Sequence, residues 1–530
     1  MSSSFASRES SSSLFVPDAL KFYVNRLSFS KNRVRLQALS SQRASSSSQI
    51  IVRLPSNTMI NLASLTMTGS VRATIASAVA GEGVALPTNW DYSFIETLSL
   101  IANGGIITQP FTNYKLLGNT LNDVYGSNAK VFSRSGLQGS LPSPLIEVSG
   151  IVASEEQQYV PFSINSWISA TQTMAPSYIA TNLLGDLELR LTMADTSILQ
   201  TGTTADGKPK AGLQQRANWD MKDINFYVET CSLDSVVLDQ AIQAKLASGE
   251  GINVPFENVF SFSQTNGGDS FNQRFSVSSQ SINKIVAVSQ LQSDLSPPQG
   301  DDGSGDNRLG QRKYVNGIPQ ALRRNVCGAT QAQFSINNQY SPNYQINSEL
   351  GAGYSPVDGT SANYQMSSGL VETVAAMDIP DYDYDCGHKL TSTTQMPFEF
   401  LGGGAVVGAN SEITGYIQPP SSQILQEPDA GAVDQNASVW FEPYVYKSGI
   451  DTYLEDKYVV ATSFDLDVCD KDRVISGVNT IGSNAQLFYN VVGGGRVPTA
   501  TGGNANVSNI FVICTSMVQI YAGSALKIIQ

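Results

Sequence analysis

Histidine is nearly absent from these 530 residues: His388 is the only one, so a Ser-His-Asp or Cys-His site would have to use it. It sits in Asp385-Cys386-Gly-His388-Lys389. Cys386 is too close to it in sequence for nucleophile–base geometry on a strand, and His388 is read as a loop residue without catalytic duty. No Gly-x-Ser-x-Gly elbow occurs. The run Gly202-Thr-Thr-Ala-Asp-Gly207-Lys208-Pro209 comes near a phosphate-binding loop. Pro209 stands where that loop needs a metal-binding hydroxyl, and it removes a backbone N–H, so the run is read as a turn. The strongest polar constellation is Asp381, Asp383 and Asp385. Alternate residues of an extended chain project to one side, and Ca²⁺ favours clustered carboxylates. No Gly or Glu follows at ligand spacing, so a solvated acidic loop tip is the preferred reading and metal the weaker one. Asp301, Asp302 and Asp306 are read the same way, as are Asp465, Asp467, Asp470 and Asp472. These residues point to no catalytic group and no cofactor.

Five cysteines, Cys231, Cys327, Cys386, Cys469 and Cys514, are odd in number, scattered, and never in a Cys-x-x-Cys pair. Buried free thiols in a reducing compartment are expected. Sequons at Asn436 and Asn506 are read as chance. Trp440, Phe441, Tyr444 and Trp90 are assigned to core or subunit contacts before sugar stacking.

The elements that carry these residues are mostly strands. Apolar–polar alternation over 186–193 and 222–229 marks half-buried strands, and 509–521 reads as a strand buried on both faces. Further runs fall at 50–54, 57–71 and 91–102, then at 271–277, 282–288, 396–401, 412–417, 439–446 and 458–468. Helical spacing appears at 114–125, and again at 232–249, where Val237, Leu238, Ala241, Ile242 and Leu246 share a face. The polar stretches 296–306 and 339–385 read as surface excursions. The outcome is an all-β fold: two tandem eight-stranded jelly-roll barrels with short inserted helices and long loops. Residues 49–232 form the first barrel, 233–254 the linker helix, and 255–530 the second barrel, with insertions at about 290–330 and 339–390.

Residues 1–48 are read as a basic, Ser-rich arm. Residues 1–50 hold Arg8, Lys21, Arg26, Lys31, Arg33, Arg35 and Arg43 against Glu9 and Asp18, whereas the whole chain has a net charge of -13. That charge argues against wrapping nucleic acid with the main body. Residues 18–27 suit a short amphipathic helix that orders on binding. No secretory signal is read at the start, and no run of about 18 apolar residues exists to span a bilayer.

Three places carry a family resemblance. They are Gln49-Ile-Ile-Val-Arg-Leu-Pro55 with Asn61-Leu62 and Leu86-Pro-Thr-Asn-Trp-Asp-Tyr-Ser-Phe-Ile-Glu-Thr-Leu-Ser-Leu100; Asn103-Gly-Gly-Ile106 with Phe111-Thr-Asn-Tyr-Lys-Leu-Leu117; and Leu184-Gly-Asp-Leu-Glu-Leu-Arg-Leu191. Together these resemble the double jelly-roll major capsid proteins of polinton-like viruses and virophages. The likeness is clearest over 49–230, while the second half matches in strand layout. It implies a non-enzymatic capsid subunit of the virion. Such subunits form homotrimers that present six barrels as a pseudo-hexameric capsomer and tile the icosahedral shell of a double-stranded DNA virus. Expected partners are neighbouring capsomers, penton proteins and minor or cement proteins. The arm, through Lys21, Arg26, Lys31, Arg33, Arg35 and Arg43, would face inward to anionic membrane or genome, and the loop excursions outward. Two competing readings are a carbohydrate- or receptor-binding β-protein, such as an adhesin or fibre head, and a β-sandwich hydrolase using two carboxylates. No spacing singles out such a carboxylate pair.

Overall fold

The computed structural model describes residues 29–76, 82–87, 90–125, 146–147, 159–174, 178–203, 213–233, 236–249, 251–268, 270–295, 320–337, 339–347, 368–377, 405–407, 413–416, 457–464, 477–481, 486–493 and 506–530. In the first half the principal strands are Phe29–Gln37 (β1), Gln49–Arg53 (β2), Met59–Ile75 (β3), Ile95–Ala102 (β4), Gly105–Ile106 (β5), Val160–Ile164 (β6), Tyr178–Ala180 (β7), Leu187–Met193 (β8) and Ala217–Leu233 (β9). They build two antiparallel sheets. One runs β1-β9-β3, with β6 and β7 sharing the far edge of β3; the other runs β2-β8-β4-β5.

The second half repeats this plan with Ile252–Asn266 (β10), Phe271–Phe275 (β11), Ile282–Leu291 (β12), Ala329–Ile336 (β13), Gln339–Asn347 (β14), Val460–Ser463 (β15), Leu487–Gly493 (β16) and Asn506–Tyr521 (β17). Its sheets run β10-β17-β12-β15 and β11-β16-β13-β14, and Ala525–Ile529 (β18) folds back onto β17. In each half the first strand pairs with the last: Phe29 lies opposite Leu233, and Ile252 opposite Ile520. In each, the second strand pairs with the penultimate one, which leads on to the fourth and fifth. That strand order is the jelly roll, and the molecule is two of them in tandem.

Inward residues of the paired sheets make the cores. In the first barrel Trp219 meets Phe94 edge to face at 4.9 Å, and Trp167 Nε1 donates to the Leu65 carbonyl at 2.8 Å. In the second, Phe334 stacks on Tyr489 at 5.0 Å. A bulge in β9, with Asp223 at φ 57°, shifts the side-chain parity by one. Trp219 and Met221 before it, and Ile224, Phe226 and Val228 after it, therefore all reach the core.

Three helices matter below: Tyr114–Tyr125 (α1), Val236–Ala247 (α2), which joins the halves, and Ser368–Ala376 (α3). α1 and α3 occupy the same place in the plan, between the fifth and sixth strand positions of their barrels. No helix among the described residues is long and apolar enough to cross a membrane.

Several boundaries differ from the sequence reading. The end of the expected arm is strand β1, at the edge of the first sheet. Its alternation of basic residues with Val34 and Leu36 is that of a strand with one face outward. The second barrel begins at Ile252, and Pro255 lies inside edge strand β10, where a missing N–H costs least. The excursion expected from 339 opens with β14. Residues 90–93 form a helical turn ahead of β4.

Candidate functional site

The seam between the barrels is where residues from both halves are buried together, and α1 is its centre. Tyr114, Leu116, Leu117 and Val124 bury one face of this helix. Gly118 lets the Tyr92 ring lie directly on the helix backbone, in space a β-carbon would occupy. Lys115 Nζ ties the first turn to Glu96 (2.9 Å) and Asp195 (3.1 Å). Burial pushes the Asp195 carboxyl up, but the Lys115 charge and hydrogen bonds from Ser197 and Lys115 outweigh it and hold the group below its ordinary value.

Both ends of α1 are fastened to the second barrel. At its start, Asn113 Nδ2 donates to Asn509 Oδ1 at 3.2 Å, Thr112 and Ser261 hydroxyls lie 3.3 Å apart, and Phe111 meets Phe511 edge to face at 6.4 Å. Asn509 Nδ2 in turn donates to Gln290 Oε1 at 3.1 Å, and Gln290 Nε2 donates to the carbonyls of Ala321 (2.8 Å) and Arg323 (3.1 Å). The next residue, Arg324, pairs with Asp123 near the end of α1, and Lys457 Nζ reaches the other Asp123 oxygen at 3.2 Å. One polar network thus runs from the front of the helix, through the second barrel, to its back. Asp123, Arg324 and Lys457 are all almost fully buried. A buried charge without its partner is costly, so loss of one member is expected to destabilise by about 3–5 kcal/mol.

A second clamp lies beside the first. Ser169 Oγ donates to the Glu257 carbonyl and Thr173 Oγ1 accepts from the Glu257 N–H, both at 2.9 Å. Side chains of the first half thereby satisfy the backbone edge of β10. Within the second barrel, Thr373 of α3 serves β15 in the same manner, accepting from Ala461 N–H and donating to the Val459 carbonyl. This chemistry fixes geometry and makes or breaks no covalent bond.

The basic residues singled out in sequence lie elsewhere. Lys31, Arg33 and Arg35 project from the outer face of β1. Lys31 pairs with Glu229 at 2.8 Å, Arg33 donates to Thr66 Oγ1 and lies over the Tyr227 ring, and Arg35 donates to Asn225 Oδ1. Lys31 and the Tyr178 hydroxyl, both hydrogen-bonded to Glu229, hold that carboxyl below its ordinary range. Arg43 is exposed in the following turn. Lys21, Arg26, Asp381, Asp383, Asp385, His388 and the acidic residues at 301–306 and 465–472 lie outside the described residues. Among those described, no three His, Cys, Asp or Glu side chains gather to hold a metal ion. Cys231, Cys327 and Cys514 are free thiols, and burial pushes Cys514 up to about 12. Asn506 of the second sequon is buried and bonded to Asn266 and Gly268, out of reach of a glycan.

Sequence reasoning missed the seam. The available signal was Asp123, which falls seven residues after Leu116 and three after Thr120, on the apolar stripe of α1. A charge on such a stripe requires a buried partner.

No protein-family model matches the sequence, and no curated protein matches it. Among solved structures the chain is similar to PBCV-1 VP54, as fitted into a cryo-EM reconstruction of the virophage Sputnik. Identity is 12%, the TM-score is 0.50, and the match covers 94% of this chain and 97% of that one. It is also similar to the Faustovirus major capsid protein, with 9% identity, a TM-score of 0.52, and coverage of 93% of this chain and 91% of that one. At such identities the likeness is one of fold, and it extends over both barrels.

Proposed function

We propose that this chain is a major capsid protein: a structural subunit that forms homotrimeric, pseudo-hexameric capsomers and tiles the icosahedral shell of a double-stranded DNA virus. The observation that carries the reading is the seam. Two barrels of one strand order are locked side by side by a buried polar network, which makes a rigid two-barrel brick. Two solved structures of that fold, one of them named a major capsid protein, match it over nearly their whole length. A brick of this kind needs no catalytic centre. Its work is to present fixed lateral faces to copies of itself, each contact modest and the sum over a closed shell large.

In this reading the protein resides in the virion, with neighbouring capsomers, penton proteins and minor or cement proteins as partners. The basic residues at 1–28, Lys21 and Arg26 among them, would reach inward toward genome or anionic membrane. The test is the native mass of purified full-length protein by light scattering, with negative-stain images of the same sample. Trimers of six-lobed outline are expected; a chain that stays monomeric at every concentration overturns the proposal.

A further inference from the structure

The two first-to-last sheets are built alike, yet among the described residues their outer faces differ in burial. In the second barrel the outward residues Val507, Asn509, Phe511 and Ile513 of β17 are all buried, and Phe111 and Asn113, just before α1, lie against Phe511 and Asn509. On the matching outer face of β1-β9-β3 the described residues are more accessible: Lys31, Arg33 and Arg35 are exposed, and Tyr227 and Glu229 are half-buried. The β1–β9 register brings these three cations alongside Cys231, Glu229 and Tyr227. Lys31 has a carboxylate partner, whereas the contacts of Arg33 and Arg35 described above are to neutral groups.

The counterpart of α1 in the second barrel is α3, and its outer flank is open. Val371 and Ala375, one turn apart, are exposed, with Glu372 half-buried beside them. Tyr344 of β14 donates its hydroxyl to Glu372 Oε2 at 2.6 Å, which fixes the carboxylate and leaves its other oxygen as an acceptor. The Tyr344 ring is itself half-exposed. Charge favours the match. Residues 251–530 hold 26 Asp and Glu against 14 Lys and Arg, whereas residues 1–250 hold 19 against 18. The acidity of the protein therefore belongs to its second half, and the open sheet in its first half offers exposed cations.

We infer that the open face of β1-β9-β3 is an interface for a second copy of this chain, which seats the α3 flank on it and brings Glu372 to Arg33 and Arg35. The contact repeats between molecules what α1 does within one. It pairs unlike surfaces, so each copy offers both halves of it and copies join head to tail into a ring. The inference rests on the capsid reading and names which surfaces meet.

Charge reversal tests it. In the full-length protein, Arg33→Glu with Arg35→Glu should weaken self-association at least about tenfold, as should Glu372→Arg alone, because like charges then face each other. The triple variant should regain association. Val371→Arg, an exposed change that spares folding, should weaken it as well. Mass is read by light scattering across a concentration series, with the melting temperature confirming that each variant folds. A wild-type chain that never assembles removes the capsid reading and this contact with it. A wild-type chain that assembles, with charge-reversed and Val371→Arg variants that fold and assemble equally well, removes this contact alone.

Discussion

Strands β9 and β17 hold the same place in their barrels and have opposite surroundings. Along β9 buried residues alternate with half-buried Asp220, Lys222, Tyr227 and Glu229. Along β17 every residue from Asn506 to Cys514 is buried. The sequences differ to match: Tyr-Val-Glu in one, Ile-Phe-Val-Ile-Cys in the other. A sheet face that meets protein within its own chain carries apolar and amide residues, and a face left open carries charge and hydroxyls. The fold is shared, and what lies on each outer face separates the halves.

That contrast can be broken first at the covered sheet. Asp123→Ala should have the largest effect, about 3–5 kcal/mol in denaturant titration, because Arg324 and Lys457 lose the carboxylate that balances their burial. Gly118→Ala comes next, at about 1–3 kcal/mol, since a β-carbon would collide with the Tyr92 ring and push α1 off its seat. Asn113→Gly keeps the left-handed backbone at φ 62°, removes one neutral hydrogen bond across the seam and should cost about 1 kcal/mol, read as a small shift in midpoint.

Acid should loosen the anchoring of α1. The Asp195 carboxyl is held below its unfolded value near 3.9. Its contribution is therefore complete above that value and lost as pH falls through the lower folded one. Melting temperature measured from pH 5 down to pH 2 should fall more steeply for wild type than for Asp195→Asn. The smallest effect belongs to the open sheet. Lys31→Gln breaks an exposed pair with Glu229 and should leave the unfolding midpoint unmoved.

Much of the architecture was legible because strands announce their surroundings. The strict alternation at 186–193 is β8, the largely apolar run at 509–521 is the body of β17, buried on both faces as far as Cys514 and on one face beyond it, and the spacing at 114–125 is α1. The alternation in 29–37 was equally visible, but basic residues on its outer face made it read as an arm. The seam was harder. Asp123, Arg324 and Lys457 are distant in sequence, and a lone charge looks the same whether it will meet solvent or a buried partner. Register and packing decide that, and neither is local. β14 was hidden by Tyr, Asn and Ser, which suit an edge strand as well as a loop.

The first-to-last pairing of each barrel also bears on how the chain is made. β1 leaves the ribosome early and has no partner until β9 follows, a wait of roughly 10–40 s between Phe29 and Leu233 at about 5–20 residues per second. β10 waits in turn for β17. Through both intervals an unpaired strand edge is open to other nascent chains, so the yield of folded protein should rise when translation is crowded less, at lower expression or with a holding chaperone present.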